Sequence, residues 1–230
     1  MTGFAEHLQA RGARSLATFG DSITEGMSAT SPERRWANRL AERLGATLDN
    51  QGIAGTVLQQ SPTADGQPKP NSGRARYARD LLGPQRCDAL AILYGFNDAR
   101  YIGAPATFNR DNFVRDFREV LAGLLAGGYA PDAICLGSPP HISDAGFAVG
   151  TPGFAGQTRG RFQSFVAAVR ALAREAGTFY APVNERMGAD DELVCEDHVH
   201  PNDRGHAAIA AIFAGATRLR DACPLNLQSA

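Results

Sequence analysis

Short apolar runs bounded by turn residues alternate along this chain with longer segments of helical period, and few architectures accept that alternation. The runs at 15–19, 46–49, 89–94, 133–137 and 178–181 read as buried strands. Between them Trp36, Leu40 and Leu44 recur every four residues, as do Phe113, Phe117 and Leu121, and Phe162, Phe165, Val166, Val169 and Leu172 form a third stripe. Each stripe predicts one helix face laid on a sheet. A last helix is expected from an N-cap at Asn202 or Asp203, carrying Ile209, Ile212, Phe213 and Ala216 inward and ending before Pro224. The expectation is a three-layer α/β/α sandwich around a five-stranded parallel sheet, in one domain of 230 residues with its core at about 15–215. Two stretches do not fit the alternation: 58–76, rich in Pro, Gly, Ser, Asn and Gln, and 139–158, rich in Gly and Pro. Following the second and fourth strands, both should emerge at the carboxyl edge of the sheet, where open α/β folds bind ligands, and are expected to wall a pocket.

Charge narrows what such a pocket receives. With 23 basic and 24 acidic residues the formal net charge is −1, which provides no electrostatic footprint for nucleic acid or an anionic membrane. A small-molecule substrate is expected. Lys69 is the only lysine, so neither a Schiff-base lysine nor a phosphate-cradling GxxxxGK[ST] loop has a place. No stretch approaches the ~20 apolar residues of a membrane span, and the first fourteen residues hold no continuous apolar core of a signal peptide. Cys87, Cys135, Cys195 and Cys223 lack CxxC spacing and fit reduced, structural thiols. These features predict a cytoplasmic protein without cofactor or metal; the oligomeric state is left open, a homo-oligomer included.

Four segments carry chemistry. The first strand ends in Gly20-Asp21-Ser22-Ile23, which projects a hydroxyl from the sheet edge. A serine needs a base, an acid behind the base, and donors for the oxyanion before it can attack an acyl carbon. Asp197-His198-Val199-His200-Pro201 offers an acid and a base three residues apart, joined by a turn. Asn50-Gln51-Gly52-Ile53-Ala54-Gly55 places glycines after the second strand, where a backbone N–H can approach a ligand. Tyr94-Gly95-Phe96-Asn97-Asp98 sends an amide side chain from the third strand. Each segment alone reads as an ordinary turn or cap. Asp21 and Asp98 are expected to bond nearby backbone and hold the two turns, and His141 is a candidate for the pocket wall.

Together the four resemble, in order and spacing, the conserved blocks of the SGNH hydrolase superfamily, the GDSL-type esterases and lipases. The resemblance spans about 15–215 and implies a flavodoxin-like fold. It implies Ser22 as nucleophile, Asp197 and His200 as the rest of a triad, and an oxyanion hole of the Ser22 N–H, Gly55 and Asn97. Gly55 is preferred to Gly52 because the family's glycine usually closes its motif. The motif reads Gly-Asp-Ser-Ile where the family has Gly-Asp-Ser-Leu, a volume-conserving change, and Phe96 stands where glycine is frequent.

The expected function is hydrolysis of short-chain esters, above all acetyl, of a small alcohol or carbohydrate. Acyl transfer by the same triad is the alternative. Two further readings are weaker: a metal-dependent hydrolase built on Glu196, Asp197, His198, His200 and His206, whose spacing is not HExxH, and a catalytically silent glycan-binding module, which would not need all these positions filled.

Overall fold

A computed structural model of the protein describes residues 2–151 and 153–219. In chain order these form α1 (Phe4–Ala10), β1 (Ser15–Gly20), α2 (Ser22–Glu25), α3 (Trp36–Leu44), β2 (Thr47–Gly52), α4 (Gly73–Leu81), β3 (Ala89–Leu93), α5 (Phe96–Arg100), α6 (Arg110–Ala126), β4 (Ile134–Gly137), α7 (Arg159–Ala176), β5 (Phe179–Ala181), α8 (Val183–Met187), α9 (Asp203–Ala214) and β6 (Thr217–Arg218). The sheet order is β2-β1-β3-β4-β5-β6. The first five strands of that order are parallel and correspond to the five apolar runs; β6 adds an antiparallel edge to β5, so the sheet has six strands rather than five. Two residues cannot show a period, which is why β6 leaves no mark in the sequence. β2 runs on through Asn50, Gln51 and Gly52, which had read as a turn. It is an edge strand, half exposed along its length, so polar residues suit it.

Apolar side chains fill the two interfaces between sheet and helices. On one face α1, α3 and α9 pack together, with Trp36 stacked on Phe213 at 4.7 Å between ring centroids. On the other, α4, α6 and α7 pack in a row, Phe113 meeting Phe165 at 5.1 Å. Every residue of the three predicted stripes is buried, each large ring contributing roughly 1.5–3 kcal/mol through burial. In α9, N-capped by Asn202, Ile209 and Phe213 are buried but Ile212 is only half so. Pro224 and Cys223 lie outside the described residues. Among the described residues no helix is long and apolar enough to cross a membrane.

One buried cation ties the carboxyl ends of three strands together. Arg76, from α4, donates through Nη2 to the carbonyls of Gly20 (3.0 Å) and Gln51 (2.9 Å) and to the Tyr94 hydroxyl (2.8 Å). Its Nη1 pairs with Asp80 at 2.8 Å, and its guanidinium lies 4.2 Å from the Phe19 ring centroid. The stretch 58–76 contains the start of α4 and therefore this anchor, which its loop-like composition concealed.

Candidate active site

β1 delivers Ser22 to the carboxyl edge, and the local sequence fixes its pose. Asp21 leaves the strand extended and caps α2, accepting from the Ile23 N–H at 3.0 Å. Ser22 is thus the first residue of a helical turn, where a backbone N–H has no intrahelical partner. None is present among the described residues, so this N–H remains free to donate.

The imidazole of His200 arrives on a short turn between a 3-10 turn at Asp191–Leu193 and α9. Val194 and Pro201 form an antiparallel bridge, and the Cys195 N–H donates to the His200 carbonyl at 2.8 Å. At the tip His198 adopts φ +62°, a left-handed conformation unusual for a side chain with a Cβ. That twist folds the N–H groups of Val199 and His200 back onto Asp197 Oδ1, both at 2.9 Å. Asp197 Oδ2 is then 2.6 Å from His200 Nδ1, and His200 Nε2 is 2.9 Å from Ser22 Oγ. Partial burial opposes ionisation of Asp197, but the two backbone N–H groups and the imidazole outweigh it and hold the carboxyl below its ordinary value. The carboxylate therefore accepts from Nδ1–H, which leaves the Nε2 lone pair toward the serine hydroxyl.

Two further segments face the same point. Gly55 has φ +74° and its N–H has no partner among the described residues; a Cβ there would meet nothing within 4 Å. The glycine is required by its backbone angle rather than by crowding. Gly52 differs: a Cβ on it would strike the backbone of Thr24 and Glu25 in α2, so this glycine serves the packing of α2 against β2. Asn97 lies in α5 just after the left-handed Gly95, and its Nδ2 donates to the Thr56 carbonyl at 2.9 Å, which orients the amide and leaves its second N–H available. Ser22, Gly55, Asn97 and His200 line one pocket of about 230 Å³, completed by Met27, Ala54, Arg100, Gly150, Thr151, Phe154 and Val199.

Behind the pocket lie two buried carboxyls. Asp21 is pushed up to about 7 by burial, with the Asp98 charge adding to the rise. Asp98 is pushed up to about 6 by burial, against the pull of two backbone N–H groups. Those N–H groups belong to Leu58 (2.9 Å) and Gln59 (3.0 Å), so Asp98 clamps the loop after β2 rather than its own turn.

Other expectations are corrected by the geometry. The segment 139–158 does wall the pocket, through Gly150, Thr151 and Phe154, but 58–76 contributes no lining residue; it packs behind, with Lys69 Nζ 4.9 Å from the Phe154 ring centroid. His141 is buried away from the pocket, its Nε2 bonded to Asp191 at 2.7 Å. His206 stands apart from the 196–200 cluster: its Nδ1 accepts from the Trp36 N–H (3.3 Å) and its Nε2 donates to the Met27 carbonyl (3.0 Å), and burial pushes its pKa down. The Cys195 thiol is raised by burial first and by the Asp197 charge besides, in keeping with a structural thiol. Thr56, Arg76 and Arg100 were not foreseen as parts of the site. None of the three left a signal: Arg100 lies three residues after Asn97, but that spacing carries meaning only once 96–100 is known to be helical.

Strand order 2-1-3-4-5 defines a flavodoxin-like α/β/α fold, with a hydroxyl, an imidazole and a carboxylate in file at the switch between β1 and β3. The chain belongs to the GDSL-like lipase/acylhydrolase family, whose model matches residues 18–208. Among solved structures it is similar to the lipase/acylhydrolase from Enterococcus faecalis, with 16% identity, a TM-score of 0.64, and coverage of 90% of this chain and 100% of that one. It is also similar to Axe2, an acetylxylan esterase from Geobacillus stearothermophilus, with 19% identity, a TM-score of 0.61, and coverage of 87% and 92%. At these identities the likeness is one of fold. No match was found among curated proteins.

Proposed function

We propose that the protein is a serine esterase that cleaves short-chain carboxylic esters, acetyl above all, of a small alcohol or carbohydrate through an acyl-enzyme on Ser22. The observation that carries this reading is the unbroken file from Asp197 to His200 to Ser22, at 2.6 and 2.9 Å, beside three N–H donors that open on one pocket. Ser22 Oγ attacks the ester carbonyl carbon as His200 Nε2 takes its proton. The carbonyl oxygen becomes an oxyanion, which the N–H groups of Ser22 and Gly55 and the Asn97 amide are placed to receive. Collapse of the tetrahedral centre expels the alcohol, protonated by His200; water then attacks the acyl-enzyme with the same base.

The donors favour the transition state over the substrate because full negative charge exists on that oxygen only there. A pocket of about 230 Å³, walled by Ala54, Phe154 and Val199, lies below the usual ~300–1,000 Å³ of small-molecule sites and supports a short acyl group. The acetylxylan specificity of a fold neighbour agrees with acetyl on carbohydrate.

Aryl esters of increasing acyl length test the proposal. The expected kcat/KM is highest at acetyl and falls toward long chains, and Ser22→Ala lowers kcat roughly 10⁴–10⁶-fold without unfolding the protein. A maximum at long chains would overturn the acyl preference, and undiminished turnover in the variant would overturn the nucleophile.

A further inference from the structure

One charge in the pocket is not used by the chemistry above. Arg100 lines the pocket beside Asn97 yet is only 4% exposed, and among the described residues it forms no ion pair. A buried cation with no carboxylate in contact is costly, and the Phe96 ring, its centroid 5.6 Å from the guanidinium carbon, offsets only part of that cost. The guanidinium Nη2 donates to the carbonyls of Gly146 (3.2 Å) and Val149, in the loop that walls the pocket. Nε is sealed from solvent and has no acceptor. Nη1 has no partner among the described residues and, unlike Nε, is not sealed. Burial draws the Arg100 pKa below the ordinary guanidinium value; Asp197 and Asp21 oppose this from beyond contact distance. The group nonetheless remains a cation at any ordinary pH.

Holding the 146–149 loop accounts for Nη2 alone. Neutral amide donors would satisfy two carbonyls without a charge to desolvate. The loop passes close to the guanidinium at Gly150, whose φ of +130° calls for glycine and where a Cβ would lie 3.2 Å from Nη2. Asn97 and Arg100 are three residues apart on α5 and so share a face, separated by about 4.5 Å of helix rise.

We propose that Arg100 is an anion-binding, specificity-determining residue of the catalytic pocket, and that the preferred ester carries a carboxylate a few bonds from its scissile carbonyl. The carboxylate accepts from the free Nη1–H and supplies at contact distance the negative charge that Asp197 and Asp21 offer only from farther away. This deepens the esterase reading and rests on it for the position of the scissile bond. The shared chemistry is a carboxylate near the ester, on either the acyl or the alcohol side.

Two substrate pairs differing by one charge separate those sources. For the acyl side, acid release is followed from monomethyl succinate and dimethyl succinate; for the alcohol side, acetate release is followed from an O-acetylated glucuronate and its methyl ester. In the wild-type protein kcat/KM for the charged member is expected to exceed that of the neutral member by roughly 10- to 100-fold in one pair, the range of a charge-assisted hydrogen bond. In Arg100→Gln that ratio falls to near one, whatever happens to the neutral ester's own rate, while Arg100→Lys keeps part of it because the charge survives. Equal rates within both pairs for the wild-type protein, or a ratio that Arg100→Gln leaves intact, would overturn the subsite while leaving the esterase reading in place. Calorimetric titration with free succinate and glucuronate tests the subsite without turnover. One of the two is expected to bind the wild-type protein at least tenfold more tightly than Arg100→Gln; equal binding, or none, counts against Arg100 even if no ester is cleaved.

Discussion

The two halves of the proposed triad are built in opposite ways. Ser22 is seated in the interior: Asp21 beneath it is buried, Arg76 grips the Gly20 carbonyl just before it, and Asp98 from the neighbouring segment adds its charge to the same region. Asp197 and His200 ride on a turn of eight residues, 194–201, closed by its own backbone bonds, and the Asp197 side chain is 44% exposed. The serine's pose is thus a property of the whole sheet edge, whereas the pair is posed chiefly by its own few residues, with Ser143 Oγ donating to the His198 carbonyl (3.4 Å) and Asn202 Nδ2 to the Val194 carbonyl (3.3 Å) from outside the turn. Changes in the turn should alter activity with little effect on stability, and changes beneath the serine should alter both.

The sharpest way to break that contrast is Asp197→Asn. Asparagine still accepts the N–H groups of Val199 and His200, so the turn persists, but it cannot hold the imidazole with Nδ1 protonated and Nε2 free. A fall of about 10⁴-fold in kcat is expected, with the denaturant midpoint nearly unmoved. A large loss of stability would show that the turn depends on the rest of the fold.

Next in size is Arg76→Met. It removes three donor contacts at the strand ends and leaves Asp80 short of a partner, so unfolding in urea should show a loss of about 3–5 kcal/mol. Turnover should fall as well, because the carbonyls of Gly20 and Gln51 lose their common anchor. Stability lost with kcat intact would separate the sheet edge from the serine's pose.

The smallest effect concerns Asp21. Its pKa rises from 3.8 in the unfolded chain to about 7 in the fold, so the folded state binds the proton more tightly. The resulting stability is complete below pH 4 and is lost as pH climbs through 7. Between pH 6 and pH 8 the wild-type protein should lose about 1 kcal/mol from this group. Asp21→Asn keeps the cap and should lose none of it, so its melting temperature gains on that of the wild-type protein toward alkaline pH. A constant difference across that range would mean that Asp21 is already ionised in the fold.

How legible each region was in the sequence follows the same division. The Asp197-to-His200 spacing and the Asn202 cap involve residues within a few positions of each other, and local hydrogen bonding realises them. The helix stripes were readable because period alone places Trp36, Phe113 and Phe165 against a sheet. β6 and the short helices α2, α5 and α8 were not, since two to five residues cannot establish a period. α4 was hidden by the polar composition of its neighbourhood. Asp98 was expected to brace its own turn, but its partners, Leu58 and Gln59, lie about forty positions away.

By itself the sequence determined the alternation that requires an α/β/α sandwich and the candidate residues for acyl chemistry, because periodicity and side-chain type are local properties of a chain. Only the tertiary structure decided that Arg76 binds three strand ends, that Gly52 serves packing while Gly55 faces the pocket, and that Arg100 is enclosed there without a carboxylate. Burial and partnership depend on which distant segments meet, and no local pattern encodes that meeting.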